Sequence, residues 1–334
     1  MRNILVTGGA GYIGSILSFY LLNKNLNVFI IDNLSRGHKK LINKKASFFK
    51  LSLKNSKEIR KIVIQKKIDT VIHLAAFVRV DESIKNPSLY LKNNVEGTIS
   101  LIESVKNTLV KRLIFSSSSS VYGKTKKKIS ETNKTKPISP YGKSKLQAEK
   151  KVIKLCEKYN LNNVILRYFN VVGAQVNKKP YLGQINKTGS LFQNLYLYLI
   201  RAKKNFSIFG FNLKTRDGTC IRDFIHVMDL AEIHYLSAKY ACKNKKISEI
   251  FNCGYGNGHT VKEVTKSFGN VNNKEIIYRK KPYKKGDIVE SVCDNKKILR
   301  KLKWKPKHNN LKFMVKDTIK WFDYLYKKDN KDRL

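Results

Sequence analysis

Gly8-Gly9-Ala10-Gly11-Tyr12-Ile13-Gly14 separates a short apolar run, Asn3 to Thr7, from the helical pattern Ile16, Leu17, Tyr20 and Leu21. Strand, glycine turn, helix is the order that a phosphate cradle requires. The glycines permit a tight turn and close backbone approach, and the helix N-terminus offers free N–H groups to a pyrophosphate. Gly8, Gly11, Tyr12, Ile13 and Gly14 are therefore the first candidate ligands of a dinucleotide. Val28 to Ile31 reads as a second buried strand, closed by Asp32. A carboxylate there accepts hydrogen bonds from the adenosine ribose hydroxyls and would repel a 2′-phosphate, which favours NAD over NADP. Arg36, four residues on, points the other way, and a plain strand-end turn is the alternative for Asp32.

The alternation continues, with strands at about Ser47 to Leu51 and Thr70 to Leu74 and a helix over about Ser56 to Gln65. A doubly wound parallel sheet, Rossmann-like, is the α/β fold this predicts. After the fourth strand, Ala75 and Ala76 are small enough for a dinucleotide to lie against the backbone. A long helix is expected from about Pro87 to Asn107, with the polar Asn94 inside it. Asn94 needs a hydrogen-bond duty, either at the site or bridging helices. Leu113 to Phe115 is a further strand that runs into five serines, Ser116 to Ser120. Serine runs are commonly linkers, but this one stands at the carboxyl end of a buried strand, where open α/β sheets bind ligands.

Pro140-Tyr141-Gly142-Lys143-Ser144-Lys145 opens the next helix, and its spacing puts Tyr141 and Lys145 on one face. A free tyrosine titrates near ~10, so a phenolate base at neutral pH needs cationic help of about 4 kcal/mol. One lysine supplies part of that, and an oxidised nicotinamide would supply the rest. The alternative is an ordinary amphipathic pair on a lysine-rich helix. Val164 to Tyr168 is the sixth strand, after which strict alternation fades. A nucleotide-binding domain over 1–170 and a smaller α/β lobe over 171–334 are expected, with some elements crossing between them. In the second part a helix is expected near Leu191 to Ala202 and a short strand at Ser207 to Phe209. Arg222 beside Asp223 reads as a charged pair near a pocket, with Arg222 either a phosphate ligand or half of a structural ion pair. His226 reads as a structural histidine, and Asp294 as an N-cap.

Composition limits the alternatives. At 334 residues and 42% hydrophobic the chain is a globular protein, and its net charge of +44 is spread along the whole length rather than gathered in one tract. That distribution argues against a specific nucleic-acid site, although a general attraction for polyanions fits it. Five scattered cysteines without a Cys-x-x-Cys pair suggest neither disulfides nor a metal centre. With no long apolar stretch, and Met1 leading directly into the fold, a reducing cytoplasm is expected.

With Thr7 to Gly14, Asp32-Asn33-Leu34, Ser116 to Ser118 with Val121-Tyr122-Gly123, Tyr141 to Lys145, Leu166 to Asn170 and Asp217 to Val227 in view, the chain resembles the extended short-chain dehydrogenase/reductase family. The resemblance covers nearly the whole length and is greatest to the UDP-glucose 4-epimerase branch. Related 4,6-dehydratases carry an acidic pair where Ser117 and Ser118 stand. The resemblance implies that Tyr141, aided by Lys145, removes the proton of a sugar 4-hydroxyl oriented by Ser118 while NAD+ takes the C4 hydride. It implies cofactor contacts at Asn33, Leu53, Leu74, Asn94, Ser116 and Tyr168, and substrate contacts at Asn170, Ser190, Ser207, Phe209, Arg222, Lys284, Asp287 and Ser291. It also implies a homodimer formed through the helices near Pro87 to Asn107 and Tyr141 to Tyr159. Ser52, Ser190 and Lys284 stand where the family usually has aspartate, asparagine and arginine, and Ser291 where many bacterial members carry a bulky side chain. The small Ser291 suggests room for a 2-acetamido group, and hence UDP-N-acetylglucosamine as a further substrate.

Overall fold

The structure is a computed structural model that describes residues 1–125, 128–186, 188–283 and 288–331. Its central feature is a seven-stranded sheet in the order β10-β6-β5-β4-β1-β2-β3, all neighbours parallel. The strands are β1 (Asn3–Thr7), β2 (Asn27–Asp32), β3 (Ser47–Lys50), β4 (Thr70–His73), β5 (Arg112–Ser118), β6 (Asn162–Tyr168) and β10 (Ser248–Cys253). Helices α1 (Tyr12–Leu22) and α8 (Val227–Lys243) cover one face. Helices α2 (Ser56–Gln65), α5 (Gly97–Val105) and α6 (Pro140–Lys158) cover the other.

Strand alternation decides which side chain goes where. On β1, Ile4 and Val6 join the α1/α8 core while Leu5 joins the α2/α5/α6 core, all three fully buried. Each such side chain contributes about 1.5–3 kcal/mol by leaving water. From β1 the chain adds β2 and β3 on one side and then β4, β5 and β6 on the other, so the strand order switches between β1 and β4 and a crevice opens at the carboxyl ends of those strands.

The remaining elements are short. A four-stranded sheet joins β7 (Asn170–Val172), β9 (Ile221–His226), β11 (Gly258–Thr260) and β13 (Glu290–Ser291), and β8 (Ser207–Phe209) pairs with β12 (Arg279–Lys281). Helices α7 (Leu191–Leu199), α9 (Val261–Asn272), α10 (Lys296–Leu302) and α11 (Leu311–Lys331) pack around them, and their core is continuous with the α1/α8 side of the large sheet. No helix among the described residues is long and apolar enough to cross a membrane.

Several expected elements differ in detail. The helix from Pro87 is α4 (Pro87–Leu91), a π-helical turn over Lys92–Glu96, and α5; a further short helix, α3 (Val80–Lys85), precedes it. Ser116 to Ser118 belong to β5 itself and are not a linker. The cap of α10 is Asn295, while Asp294 accepts the Lys296 N–H at 3.1 Å. Helix α6 begins as its sequence predicts: Pro140 occupies the first turn and the Ser139 hydroxyl accepts the Gly142 N–H at 3.1 Å.

Candidate active site

The glycine turn is built by exclusion of side chains. Gly8 has φ +73°, and a Cβ there would lie 2.7 Å from the Ala75 backbone nitrogen, so β1 and β4 approach as only glycine allows. A Cβ on Gly14 would lie 2.2 Å from the Gly8 carbonyl oxygen, which fixes α1 tightly on the turn. Gly11 caps α1 without a side-chain hydrogen bond, leaving the first-turn N–H groups facing the crevice.

Asp32 ends β2 at the rim. Its carboxylate accepts the Ala10 N–H at 3.1 Å and the Leu34 N–H at 2.8 Å. Burial raises its pKa, against the lowering effect of those two bonds. Each oxygen accepts one bond and retains capacity for another, which suits a vicinal diol. A side chain at Gly37 would collide with both oxygens at 2.9 Å.

The crevice has a volume of about 520 Å³. It is lined by Gly8, Gly11, Tyr12, Ile13 and Gly14, by Asp32 and Asn33, by Leu53, by Leu74, Ala75 and Ala76, and by Ser116, Ser118, Tyr141 and Tyr168. The turn without side chains, the open helix N-terminus and the rim carboxylate fit a dinucleotide.

Tyr141, on α6, meets Ser118, at the end of β5, because α6 runs against the serine loop: a Cβ on Gly142 would lie 2.6 Å from the Ser120 carbonyl oxygen. Burial pushes the Tyr141 phenol above its ordinary value, and hydrogen bonding to Ser118 lowers it. Lys145 is 2% exposed behind the crevice wall, with its ammonium 4.8 Å from the Phe115 ring centroid. Burial draws its pKa down to about 8, opposed by Glu149. Asn94 is also behind the wall. Its amide donates to the Phe77 carbonyl and to Ser144 Oγ, both at 3.0 Å, and accepts the Phe77 N–H at 2.8 Å. It ties α6 to the segment after β4.

Of the expected substrate residues, Ser118 and Tyr141 line that crevice, whereas Asn170, Ser207, Phe209, Arg222 and Ser291 are on the smaller sheets. Asn170 pairs with Phe224 across β7 and β9, and Ser291 pairs with Arg222 across β13 and β9. Ser207 and Phe209 are on β8, and Ser190 caps α7 by accepting the Gln193 N–H at 3.4 Å. Lys284 and Asp287 lie outside the described residues. Arg222 and Asp223 do not form the expected charged pair, because neighbours on a strand face opposite ways. Arg222 donates to the Ile221 carbonyl at 2.9 Å. Asp223 is fully buried and accepts three backbone N–H bonds, from Tyr255, Gly256 and Cys293, while burial pushes it up to about 6.

Two features escaped the sequence reading. Tyr12 Oη donates to the Gly173 carbonyl at 2.6 Å, joining the glycine turn to the loop after β7. Glu149 and Arg167 form a buried ion pair behind Lys145. The signals were present: an acid four residues beyond Lys145 on the buried face of α6, and a lone arginine inside an apolar strand.

Comparison with known proteins agrees with this geometry. Residues 4–254 match the NAD dependent epimerase/dehydratase family. The chain is 37% identical to a UDP-glucose 4-epimerase of Lactobacillus helveticus, over 95% of this chain and 96% of that one. Among solved structures, a UDP-glucose 4-epimerase from Stenotrophomonas maltophila with bound NAD and formylated UDP-arabinopyranose superposes with a TM-score of 0.93 at 31% identity, covering 98% of this chain and 100% of that one. The UDP-Glc/GlcNAc 4-epimerase of Campylobacter jejuni gives 0.84 at 34% identity, covering 97% and 100%. With a glycine turn, rim carboxylate and Tyr141–Ser118 pair in one crevice, the chain belongs to the NAD dependent epimerase/dehydratase family.

Proposed function

We propose that the chain interconverts UDP-glucose and UDP-galactose through a 4-keto sugar, with NAD as resident cofactor. The observation that carries this reading is the convergence of Tyr141 and Ser118 on the crevice that begins at the glycine turn and Asp32. NAD supplies a reversible acceptor for the two electrons and hydrogen of the sugar C4–H bond. The chain does the rest. The α1 N-terminus faces the pyrophosphate, and Asp32 accepts from the ribose hydroxyls. Ser118 orients the sugar 4-hydroxyl, Tyr141 Oη removes its proton, and Lys145 stabilises the phenolate. The cationic cofactor adds the second charge that offsets the burial of Tyr141. Arg222, Asn170, Phe209, Ser190, Ser207, Lys284 and Asp287 hold the UDP while the ketone presents its other face. Tyr141 then returns the proton, so substrate and product have the same oxidation state.

Residues 1–170, with β10 and α8, form the nucleotide-binding part in this reading, and the smaller sheets form the UDP-sugar part. A homodimer through α5 and α6 is supported by Ile84, Leu89 and Leu91, exposed apolar residues of the adjoining α3 and α4. Five free cysteines suit a reducing cytoplasm. Incubation of the purified protein with UDP-galactose tests the central claim: UDP-glucose is expected to form without added NAD. No conversion, with or without supplied NAD, would overturn it.

A second activity rests on Ser291, which is 7% exposed and in register with Arg222. In this reading the hydroxymethyl, in place of a bulky side chain, admits an acetamido group on the sugar, and UDP-N-acetylglucosamine is also epimerised. Ser291→Tyr is expected to reduce turnover of that substrate at least tenfold, about 1.4 kcal/mol, and that of UDP-galactose much less. Undiminished turnover of the acetamido sugar in Ser291→Tyr would sink the second activity.

A further inference from the structure

Helix α6 carries a third buried titratable side chain on the face of Tyr141 and Lys145. Glu149, one turn beyond Lys145, is 1% exposed. Its carboxylate accepts both prongs of Arg167 from β6, Nε at 3.0 Å and Nη2 at 2.7 Å, and the Ser117 hydroxyl from β5. Arg167 also donates to Tyr122 Oη at 2.8 Å, and that hydroxyl donates to Asn252 on β10. Replacing a buried ion pair by well-packed apolar side chains is commonly neutral or stabilising. Stability therefore gives no reason for these charges to stand here, and their neighbours do.

Ser117 immediately precedes Ser118, and successive strand residues face opposite ways. The bond to Glu149 thus fixes the strand end whose next hydroxyl meets Tyr141. The carboxylate also opposes the burial that draws Lys145 down to about 8. Around Lys145, His73 from β4 is held neutral by burial and by Lys145 itself, its pKa near 3, and β5 presents the Phe115 ring. Tyr141 shares its helix, Arg167 stands behind Glu149, and Tyr168 from β6 is kept a neutral phenol by burial. None of these supplies the negative charge that an enclosed ammonium needs.

We propose that Glu149, forked to Arg167, is a positioning residue: it keeps Lys145 protonated and Ser118 in line with Tyr141, and so sets the pH range in which Tyr141 takes the sugar proton. The proposal rests on the epimerase reading. Glu149→Gln alone leaves Arg167 buried and unpaired, which threatens the fold, so the decisive protein is Glu149→Gln/Arg167→Met, which loses both charges. In the holoenzyme, kcat for UDP-galactose is followed against pH. Independently of turnover, the Tyr141 phenolate is followed by ultraviolet difference titration against matched Tyr141→Phe protein.

Without the carboxylate the Lys145 ammonium is lost at lower pH, and without the ammonium the phenolate forms at higher pH. Both limbs of the kcat profile are expected to move inward by about one unit, with a roughly tenfold loss of kcat at neutral pH and little change in KM. The phenolate titration should move upward with the acid limb. Ser117→Ala, which keeps the ion pair, is expected to lower kcat with both limbs in place. Unmoved limbs and an unmoved phenolate titration in the double variant, or unchanged kcat in Ser117→Ala, would overturn the proposal. Failure of the parent enzyme to convert UDP-galactose would count against the epimerase reading, and the phenolate titration still decides the role of Glu149.

Discussion

Tyr141→Phe is expected to lower kcat for UDP-galactose by roughly 10³-fold, within the range set by removing a positioned acid–base group. The substitution deletes one oxygen and leaves the ring, which packs edge-on against Tyr90 with centroids 6.3 Å apart. The lost hydrogen bond is to Ser118, whose single hydroxyl proton has Ser120 Oγ as an acceptor at 3.1 Å, so no buried donor is stranded. KM and thermal stability should therefore stay near those of the parent, a pattern that marks loss of a transition-state interaction alone. Ser118→Ala should fall between the two proteins, because it orients the hydroxyl without accepting its proton. The measurement is UDP-glucose formed per enzyme, together with the reduced-nicotinamide absorbance that appears on mixing with UDP-galactose. Turnover that survives in Tyr141→Phe would remove Tyr141 as the base.

The first half of the fold was legible because its signals are local. Gly8 to Gly14, Asp32 and the Tyr141–Lys145 spacing each depend on neighbours within one turn or one strand, and Gly8, Gly11 to Gly14, Asp32 and Tyr141 line the crevice. What the sequence hid depends on partners far along the chain. The segment 248–253 carries no motif, yet it pairs with β6 to finish the large sheet. Asp223 seemed a partner for Arg222 by adjacency, but strand geometry turns it into a nest of backbone N–H groups. Glu149 and Arg167, eighteen residues apart, became a pair only when β6 was laid beside β5. His226 is the converse case. Its reading as structural agrees with its surroundings: its Nδ1 accepts the Met228 N–H at 3.2 Å, its Nε2 stands 3.3 Å from Asp317, and its ring stacks on His308 at 4.6 Å.

The packing of His226 leads to the largest expected effect on stability. Gly173 has φ +83°, and a Cβ there would lie 2.2 Å from both Cδ2 and Nε2 of the His226 ring. That ring is fully buried between His308 and Asp317 and caps α8, so it has nowhere to move. Gly173→Ala should cost about 1 kcal/mol for the left-handed backbone and about 1–3 kcal/mol for overpacking. A fall in the thermal midpoint of roughly 3–6 °C follows for a chain of this length. Gly189 separates the two contributions: its φ is also positive, at +68°, but nothing lies within 4 Å of its Cβ position. Gly189→Ala should therefore lose only the backbone part, about 1–2 °C. The clash reaches the cofactor as well, because the Gly173 carbonyl that it displaces accepts the Tyr12 hydroxyl from the glycine turn. Gly173→Ala should release bound NAD on dialysis more readily than the parent does, as Tyr12→Phe should, whereas Gly189→Ala should retain it. Equal midpoints for the two alanine variants would show that the His226 contact is not what requires glycine at 173.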